Sequence, residues 1–376
     1  MSEKLKLGKL AEIVSGSTPK TNIKEYWDGN ILWITPAEIK EDDYYIADTQ
    51  RKITQLAVEK TNLRLLPKGT ILLSSRAPIG KIAICDNDMY CNQGFKNIIC
   101  SEKLNNRYVY YYLKYNVEYL KSLGRGATFK EISKGIVENL EIPFKDIKEQ
   151  ITIANKLDKI TEIIKIRKEQ IKHFDEIIKS QFVEMFEDDT YSRVKLGEEF
   201  DVSSGGTPSK TKVEYWNSND ISWIGSNMCQ NKIIYENDGK YISKSGLEHS
   251  SAKVYPVDTV LVALVGATIG KTALLKFETA TNQNIAGIQV SERFNAEYVY
   301  FAIQNLYYKF TELGKGTFKM ANLSFVRDLE IPMPPIELQN KFADFVKQID
   351  KQKFEIENSL KEMQELYESL MEKYFG

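Results

Sequence analysis

Two stretches of the chain carry a helical apolar rhythm with no proline or glycine to break it. From Ile147 to Phe186 the apolar side chains step by three and four through Ile153, Leu157, Ile160, Ile164, Ile171, Phe174, Ile178 and Met185. Arg167 and Gln181 fill two positions of that seam. From Ile336 to Phe375 the same steps run through Phe342, Val346, Ile349, Ile356, Leu360, Met363, Tyr367, Leu370 and Tyr374, with Lys353 as the polar interruption. Sustained heptads of this kind predict coiled-coil helices. At ~1.5 Å per residue each is about 60 Å long, and two in one chain most simply pair antiparallel. Arg167 and Lys353 either fix the register or sit as solvated gaps; the pattern leaves both open.

The segments ahead of these helices have a mixed pattern. Strand signals at Thr70-Ile71-Leu72-Leu73 and Thr259-Val260-Leu261-Val262 each follow a turn, Pro67-Lys68-Gly69 and Pro256-Val257-Asp258. Helical stretches over about 107–123 and 296–313 each end at a glycine. The expected fold is α+β, in four parts: a mixed domain over 1–145, a helix over 146–189, a second mixed domain over 190–335 and a second helix over 336–376. This reads as two globular heads held by a coiled-coil bar.

The halves repeat one another. Gly16-Ser17-Thr18-Pro19, Glu25-Tyr26-Trp27 and Trp33-Ile34 return as Gly205-Gly206-Thr207-Pro208, Glu214-Tyr215-Trp216 and Trp223-Ile224. In the same order follow Ile79-Gly80-Lys81 with Ile269-Gly270-Lys271, Asn92-Gln93 with Asn282-Gln283, and Tyr108-Val109-Tyr110 with Tyr298-Val299-Tyr300. Gly124-Arg125-Gly126 then matches Gly314-Lys315-Gly316, and Leu140-Glu141-Ile142-Pro143 matches Leu329-Glu330-Ile331-Pro332. The offset stays at 189 or 190 residues, far beyond the ~20–50 of a solenoid repeat. A whole domain has been duplicated, and its two copies can offer similar surfaces to a partner with two similar halves.

Composition narrows the class. With 42% hydrophobic and 27% charged residues the chain has material for two cores. A net charge of −1 neither suggests nor excludes nucleic acid, so any basic surface must be local. Cys85, Cys91, Cys100 and Cys229 show no CxxC spacing and read as reduced thiols, not a disulfide or zinc framework. No apolar signal core and no run of ~18 apolar residues is present. The expectation is a cytoplasmic protein without a membrane partner.

Catalytic motifs fail in turn. Val265-Gly266-Ala267-Thr268-Ile269-Gly270-Lys271-Thr272 approaches a phosphate loop but has valine where the first glycine belongs. The first copy has Ser75 there, and Ile82 replaces the hydroxyl residue. No GxGxxG follows a strand, and no Asp/Asn-Pro-Pro-Tyr/Phe occurs. His173 falls within a heptad and His249 has no triad or HExxH context. The residues describe a binder.

The order GxTP, EYW, W-I, IGK, G-[RK]-G and LEIP ahead of a heptad helix, occurring twice, resembles the specificity subunit of type I restriction–modification systems. The resemblance covers essentially the whole chain. It implies that 1–145 and 190–335 are target recognition domains, each reading half of a bipartite DNA site. It also implies that 146–189 and 336–376 are spacer helices that hold two modification subunits. In that family the modification subunits methylate adenine at N6 with S-adenosylmethionine, and restriction subunits cleave DNA with ATP and magnesium. The resemblance thus leaves this chain without a catalytic site, cofactor or metal of its own, and makes double-stranded DNA and both kinds of subunit its partners. A double-headed scaffold joining two proteins without reading DNA fits the composition equally well.

The duplication sorts the residues that would meet DNA. Basic positions shared by both copies, Lys81/Lys271, Arg125/Lys315 and Lys130/Lys319, suit phosphates, which position a protein without naming a base. Thr18 and Lys20, with Thr207 and Lys210, sit in a shared Thr-Pro loop that is either at the DNA or a structural turn. Positions that differ suit base edges: Arg76 against Val265-Gly266, Lys96 against Ala286, and Ala37-Glu38-Ile39-Lys40 against Asn227-Met228-Cys229-Gln230. Arginine pairs with guanine and asparagine or glutamine with adenine. The four tryptophans read as core.

Overall fold

A computed structural model describes residues 3–125, 130–187, 190–313 and 320–376. The chain divides into two compact units, Met1–Lys168 with Asn358–Gly376, and Glu169–Glu357. The expected split into heads and separate spacers is therefore refined: each unit contains half of each long helix. The reason is apolar. In the first unit Ile153 and Leu157, from the start of one helix, share a core with Met371 and Phe375 from the end of the other. In the second unit Ile178, Phe182 and Phe186 share a core with Phe342, Val346 and Ile349. Within each unit the start of one helix thus lies beside the end of the other, the antiparallel sense that the heptads imply.

The helices span Ile147–Phe186 and Ile336–Phe375. Every seam position named from the heptads is buried or half-buried, including Arg167, Gln181 and Lys353. Phe182 and Phe186 lie off that seam yet are almost fully buried. They sit between the partner helix and the mixed domain: both rings pack on Phe342 of that helix at 5.4 and 5.6 Å and on Tyr298 at 5.6 and 4.9 Å.

Each mixed domain carries a five-stranded sheet of one topology. In the first unit the order is Ala11–Ser15, Lys96–Cys100, Ile71–Leu73, Ile82–Cys85, Tyr45–Ile46. In the second it is Asp201–Ser204, Ile285–Gln289, Val260–Ala263, Thr272–Leu275, Lys232–Ile234. The pairs are antiparallel except the last, which is parallel in both units. The central strands read Ile-Leu-Leu and Val-Leu-Val-Ala and are buried throughout, as strands covered on both faces should be.

A smaller sheet holds the tryptophans. Trp27–Ile34 lies between Arg51–Ile53 and Tyr90–Cys91; Ile221–Ile224 lies between Tyr241–Ile242 and Thr279–Thr281. Trp27 and Trp33 meet edge-to-face at 5.0 Å, and Trp216 and Trp223 do so at 5.1 Å. Trp27, Trp33 and Trp223 are core residues, as expected, while Trp216 is only half-buried.

The helix expected over 107–123 is two helices, Asn106–Tyr115 and Val117–Ser122. Its counterpart divides likewise into Ala296–Asn305 and Tyr307–Leu313. At the first break Asn116 leaves helical geometry, and its side-chain amide donates to the Tyr112 carbonyl at 2.8 Å, satisfying an acceptor at the helix end. The tyrosine of the repeated Tyr-Val-Tyr anchors each first helix. Tyr108 donates to the Pro143 carbonyl at 2.8 Å, and Tyr298 to that of Pro332 at 2.9 Å.

Candidate nucleic-acid interface

The Thr-Pro loops are built the same way in both units. A Cβ on Gly16 would fall 1.8 Å from the Asn92 carbonyl oxygen, and one on Gly205 2.1 Å from that of Thr281. Only glycine permits this approach. The two tryptophans then hold the loop. Trp33 and Trp27 donate their indole N–H to the carbonyls of Ser17 and Lys20 at 3.1 and 3.3 Å. Trp223 and Trp216 donate to Gly206 and Ser209 at 3.0 and 3.2 Å. Thr18 donates its hydroxyl to the Gln93 amide oxygen, and Thr207 to that of Gln283 at 2.5 Å. Thr18 and Thr207 thus fasten a turn, while Lys20 and Lys210 at its edge are exposed. The shared Asn92 and Asn282 also serve local backbone, accepting from Gly94 and Asn284 at 2.9 and 3.0 Å.

The IGK turn is equally fixed. Gly80 and Gly270 have φ of +90° and +74°, a region costly for other residues. A Cβ on Gly270 would also meet Phe310 at 2.6 Å. The loop before it in the second unit is a short 3-10 turn, Gly266–Thr268, and the strand Thr272–Leu275 follows. A phosphate loop requires a helix there, so the structure removes the nucleotide-site reading on geometry as well. The lysines of the turn reach across to a neighbouring loop: Lys81 donates to the Pro36 carbonyl, in a 3-10 turn, at 2.9 Å, and Lys271 to the Gln230 amide oxygen, just after one, at 3.0 Å. Among the described residues neither has a carboxylate within ion-pair distance.

Beside this turn the two units diverge. In the first, Glu131 accepts from Arg76 Nε at 3.0 Å on one carboxylate oxygen and from Lys96 Nζ at 3.1 Å on the other. Burial works to raise the Glu131 carboxyl, but the hydrogen bonds and charges of Lys96 and Arg76 outweigh it and hold it below the usual range. Lys96 is 7% exposed, so it supports Glu131 from inside and is not the surface cation that the sequence suggested. Arg76 is exposed. Arg125 pairs its backbone with Glu131 in both directions, at 3.0 and 2.9 Å. The side chains of Arg125 and Lys130 are exposed; Lys315 and Lys319 lie outside the described residues.

On the neighbouring 3-10 turns the units differ too. Glu38 is structural: one carboxylate oxygen accepts from the Thr35 backbone at 2.8 Å and the other from that of Gln50 at 2.6 Å. Its counterpart turn, Ser226–Met228, exposes Asn227, whose amide donates to Asp238 at 3.3 Å. Burial pushes the Asp238 carboxyl up, but Lys240 and Asn227 override this and hold it low.

Sequence reasoning missed Glu131 because nothing marks it as a partner of residues 55 and 35 positions away. It also missed Met320, 68% exposed at the equivalent position of the second unit. The repeat offset is the signal that locates both.

A family model for the type I restriction modification DNA specificity domain matches residues 2–173 and again 188–366. The chain belongs to that family. Among specificity relatives, the type I restriction enzyme MjaIX specificity subunit of Methanocaldococcus jannaschii is 29% identical over 368 residues, covering 91% of this chain and 85% of that protein. The MjaVIII specificity subunit of the same organism is 24% identical over 97% of this chain and 91% of its own length. Two solved structures share the fold at 18% identity: a type I S subunit from M. genitalium, with a TM-score of 0.61 over 100% of this chain and 96% of that one, and a chain from a study of type I R-M complex assembly and conformational transition, with 0.64 over 99% and 97%. Among the described residues of this specificity subunit no helix is long and apolar enough to cross a membrane, and no cluster of His, Cys, Asp or Glu could hold a metal.

Proposed function

We propose that the chain binds a bipartite, asymmetric double-stranded DNA site and directs partner subunits to it without catalysing a reaction itself. The observation that carries this reading is one backbone scaffold built twice, with different side chains at equivalent surface positions. Two readers of one shape but unlike chemistry suit a site with two unlike halves and unread bases between them. Arg76 and Asn227 are the base readers; Lys20, Lys81, Arg125, Lys130, Lys210, Lys271, Lys315 and Lys319 are the phosphate contacts. The separation fits the general division between base and backbone contacts.

Partners would dock on the long helices. Ile163, Ile166, Ile177 and Val183 on the first helix and Phe354 and Leu366 on the second are exposed apolar residues, Phe354 to 62%. The duplicated helices offer two such faces, one for each of two modification subunits, and restriction subunits join that complex. S-adenosylmethionine, ATP and magnesium belong to those partners.

The test reconstitutes the full chain with its modification subunit and S-adenosylmethionine, then maps methylated adenines on genomic DNA. Two unlike half-sites at a fixed spacing are expected, with no methyl transfer by the chain alone. Methylation without sequence preference would favour the scaffold reading and overturn this one.

A further inference from the structure

The divergent site beside the IGK turn rests on a common frame. In the first unit Ser74 N–H donates to Lys81 O at 2.9 Å, Ser75 N–H to Gly94 O at 2.7 Å, and Ile132 N–H to Ser75 O at 2.9 Å. In the second, Ala263 donates to Lys271 O at 2.9 Å, Leu264 to Asn284 O at 2.8 Å, and Ala321 to Leu264 O at 2.8 Å. Next to this frame, Arg76 bridges Glu131 antiparallel, and Val265 bridges Met320 the same way. On the strands next to the edge Lys96 sits opposite Ser15, and Ala286 opposite Ser204. The three positions therefore superpose in role, and all three side chains change together: Arg76, Lys96 and Glu131 become Val265, Ala286 and Met320.

A concerted change follows from the physics of the trio. Lys96 is almost fully buried and needs Glu131, because a buried ammonium without a counter-charge is strongly unfavourable. Glu131 in turn uses both carboxylate oxygens on Lys96 and Arg76. Removing one member strands another, so the site exists either as a charged set or as an apolar one. In the charged set the Glu131 bond is to Arg76 Nε, which orients the guanidinium while Arg76 stays 47% exposed. In the apolar set, residues directly opposite in a bridge put their side chains on one face, and Met320 stands 68% exposed beside Val265. Among the described residues the methionine's apolar surface is left to water, and covering it on binding is favourable.

We infer that this equivalent pair of sites discriminates bases by opposite chemistry: Arg76, positioned by Glu131 and Lys96, takes a guanine in one half-site, and Met320 with Val265 takes the 5-methyl group of a thymine in the other. Terminal guanidinium nitrogens match the O6 and N7 acceptors of guanine. Apolar side chains match the methyl that distinguishes thymine in the major groove. Glu131 and Lys96 are positioning residues, since they act through Arg76.

This inference rests on the DNA-reading function proposed above, and the test keeps the two apart. The full chain in complex with its modification subunit is titrated against duplexes carrying the mapped site, with each thymine of each half replaced singly by uracil, which lacks only the methyl. One uracil in the half-site read by the second unit is expected to weaken binding about fourfold, the worth of one buried methyl. In Met320→Ala that same uracil should have almost no further effect. Glu131→Gln should relax the guanine preference at one position of the other half by about tenfold or more. The transplant R76V/K96A/E131M should exchange guanine for thymine there. Sequence-specific binding that ignores every uracil in the second half-site, or a Glu131→Gln complex with an unchanged guanine preference, would overturn the inference while leaving the DNA-reading function standing. Loss of all sequence preference in the wild-type complex would instead remove the function on which it rests.

Discussion

Gln150, on the first turns of the first long helix, accepts the backbone N–H of Asn105 at 2.8 Å. Its amide nitrogen donates back to the carbonyls of Lys103 and Lys145 at 3.0 and 2.8 Å, and the side chain is wholly buried. Gln339 repeats the arrangement in the second unit, accepting from Asn295 at 2.8 Å and donating to Pro334 O at 2.9 Å and Arg293 O at 3.4 Å. One amide thus ties each helix start to the N-cap of the helix that carries the repeated Tyr-Val-Tyr. Gln150→Leu keeps the volume but strands one N–H and two carbonyls. A loss of about 2–3 kcal/mol is expected from those unsatisfied groups. Urea unfolding should show it as a lowered midpoint, and an unchanged midpoint would show that water replaces the bonds.

Phe375 tests the composite make-up of the units. It is 4% exposed and its ring lies 5.1 Å from Tyr108 and 6.0 Å from Tyr112, residues more than 260 positions earlier. Phe375→Ala should cost the first unit about 3 kcal/mol through the cavity it leaves. The second unit draws on the other end of that helix, through Phe342 and Val346. Hydrogen exchange should therefore quicken in Ile71–Leu73 and Lys96–Cys100 and stay unchanged in Val260–Ala263 and Ile285–Gln289. Equal quickening in both sets would contradict the assignment of the helix end to the first unit.

Much of the scaffold was legible because its signals are local or repeated. The heptads give both long helices almost to the residue, and the 189–190 offset pairs the loops before any coordinate is known. What stayed hidden depends on contacts distant in sequence. The breaks at Asn116 and Leu306 are single residues out of helical geometry that periodicity does not register. Phe182 and Phe186 fall off the named seam because they answer to Tyr298 of the mixed domain as well as to Phe342 of the partner helix. Lys96 reads as a surface cation in the sequence, yet Glu131, from a bridge ahead of the helix Lys134–Glu138, lies against it. A lone charged residue in a sequence carries no mark of its partner, and the partner decides whether it faces water or a core.

Cysteine burial predicts a pH dependence. Burial pushes the Cys229 thiol up to about 12 from an ordinary value near 9.0, and Cys100 likewise. In Cys91 burial again leads, with the Asn97 amide pulling the other way. A raised thiol keeps its proton in the folded state while the unfolded chain releases it. The contribution is therefore intact below about pH 9 and is lost as pH rises toward about 12. At pH 10 each such thiol should cost on the order of 1 kcal/mol relative to pH 8. Cys229→Ala removes one titration, so its stability should fall less between pH 8 and pH 10 than that of the wild type. Parallel pH profiles for the two proteins would show that Cys229 ionises freely in the folded state.

Lys271 separates backbone contact from base reading. Its ammonium bonds only the neutral Gln230 amide among the described groups, at 3.0 Å, and no carboxylate there cancels its charge. It stands half-exposed on a turn fixed by Gly270, near the turn Ser226–Met228 that exposes Asn227 where the first unit has Ala37. A cation so placed suits a phosphate. Lys271→Ala should then weaken the complex on every duplex by a similar factor and reduce the slope of log K against log salt by about one. Asn227→Ala should behave differently: binding to random duplex holds, and preference drops at an adenine in one half-site by about 1–3 kcal/mol. Both variants are read in one titration series, specific and random duplex at several salt concentrations. If Lys271→Ala altered the preferred bases and left the salt slope untouched, the ammonium would be reading sequence, and the division of labour between shared and differing positions would have to be reversed at this turn.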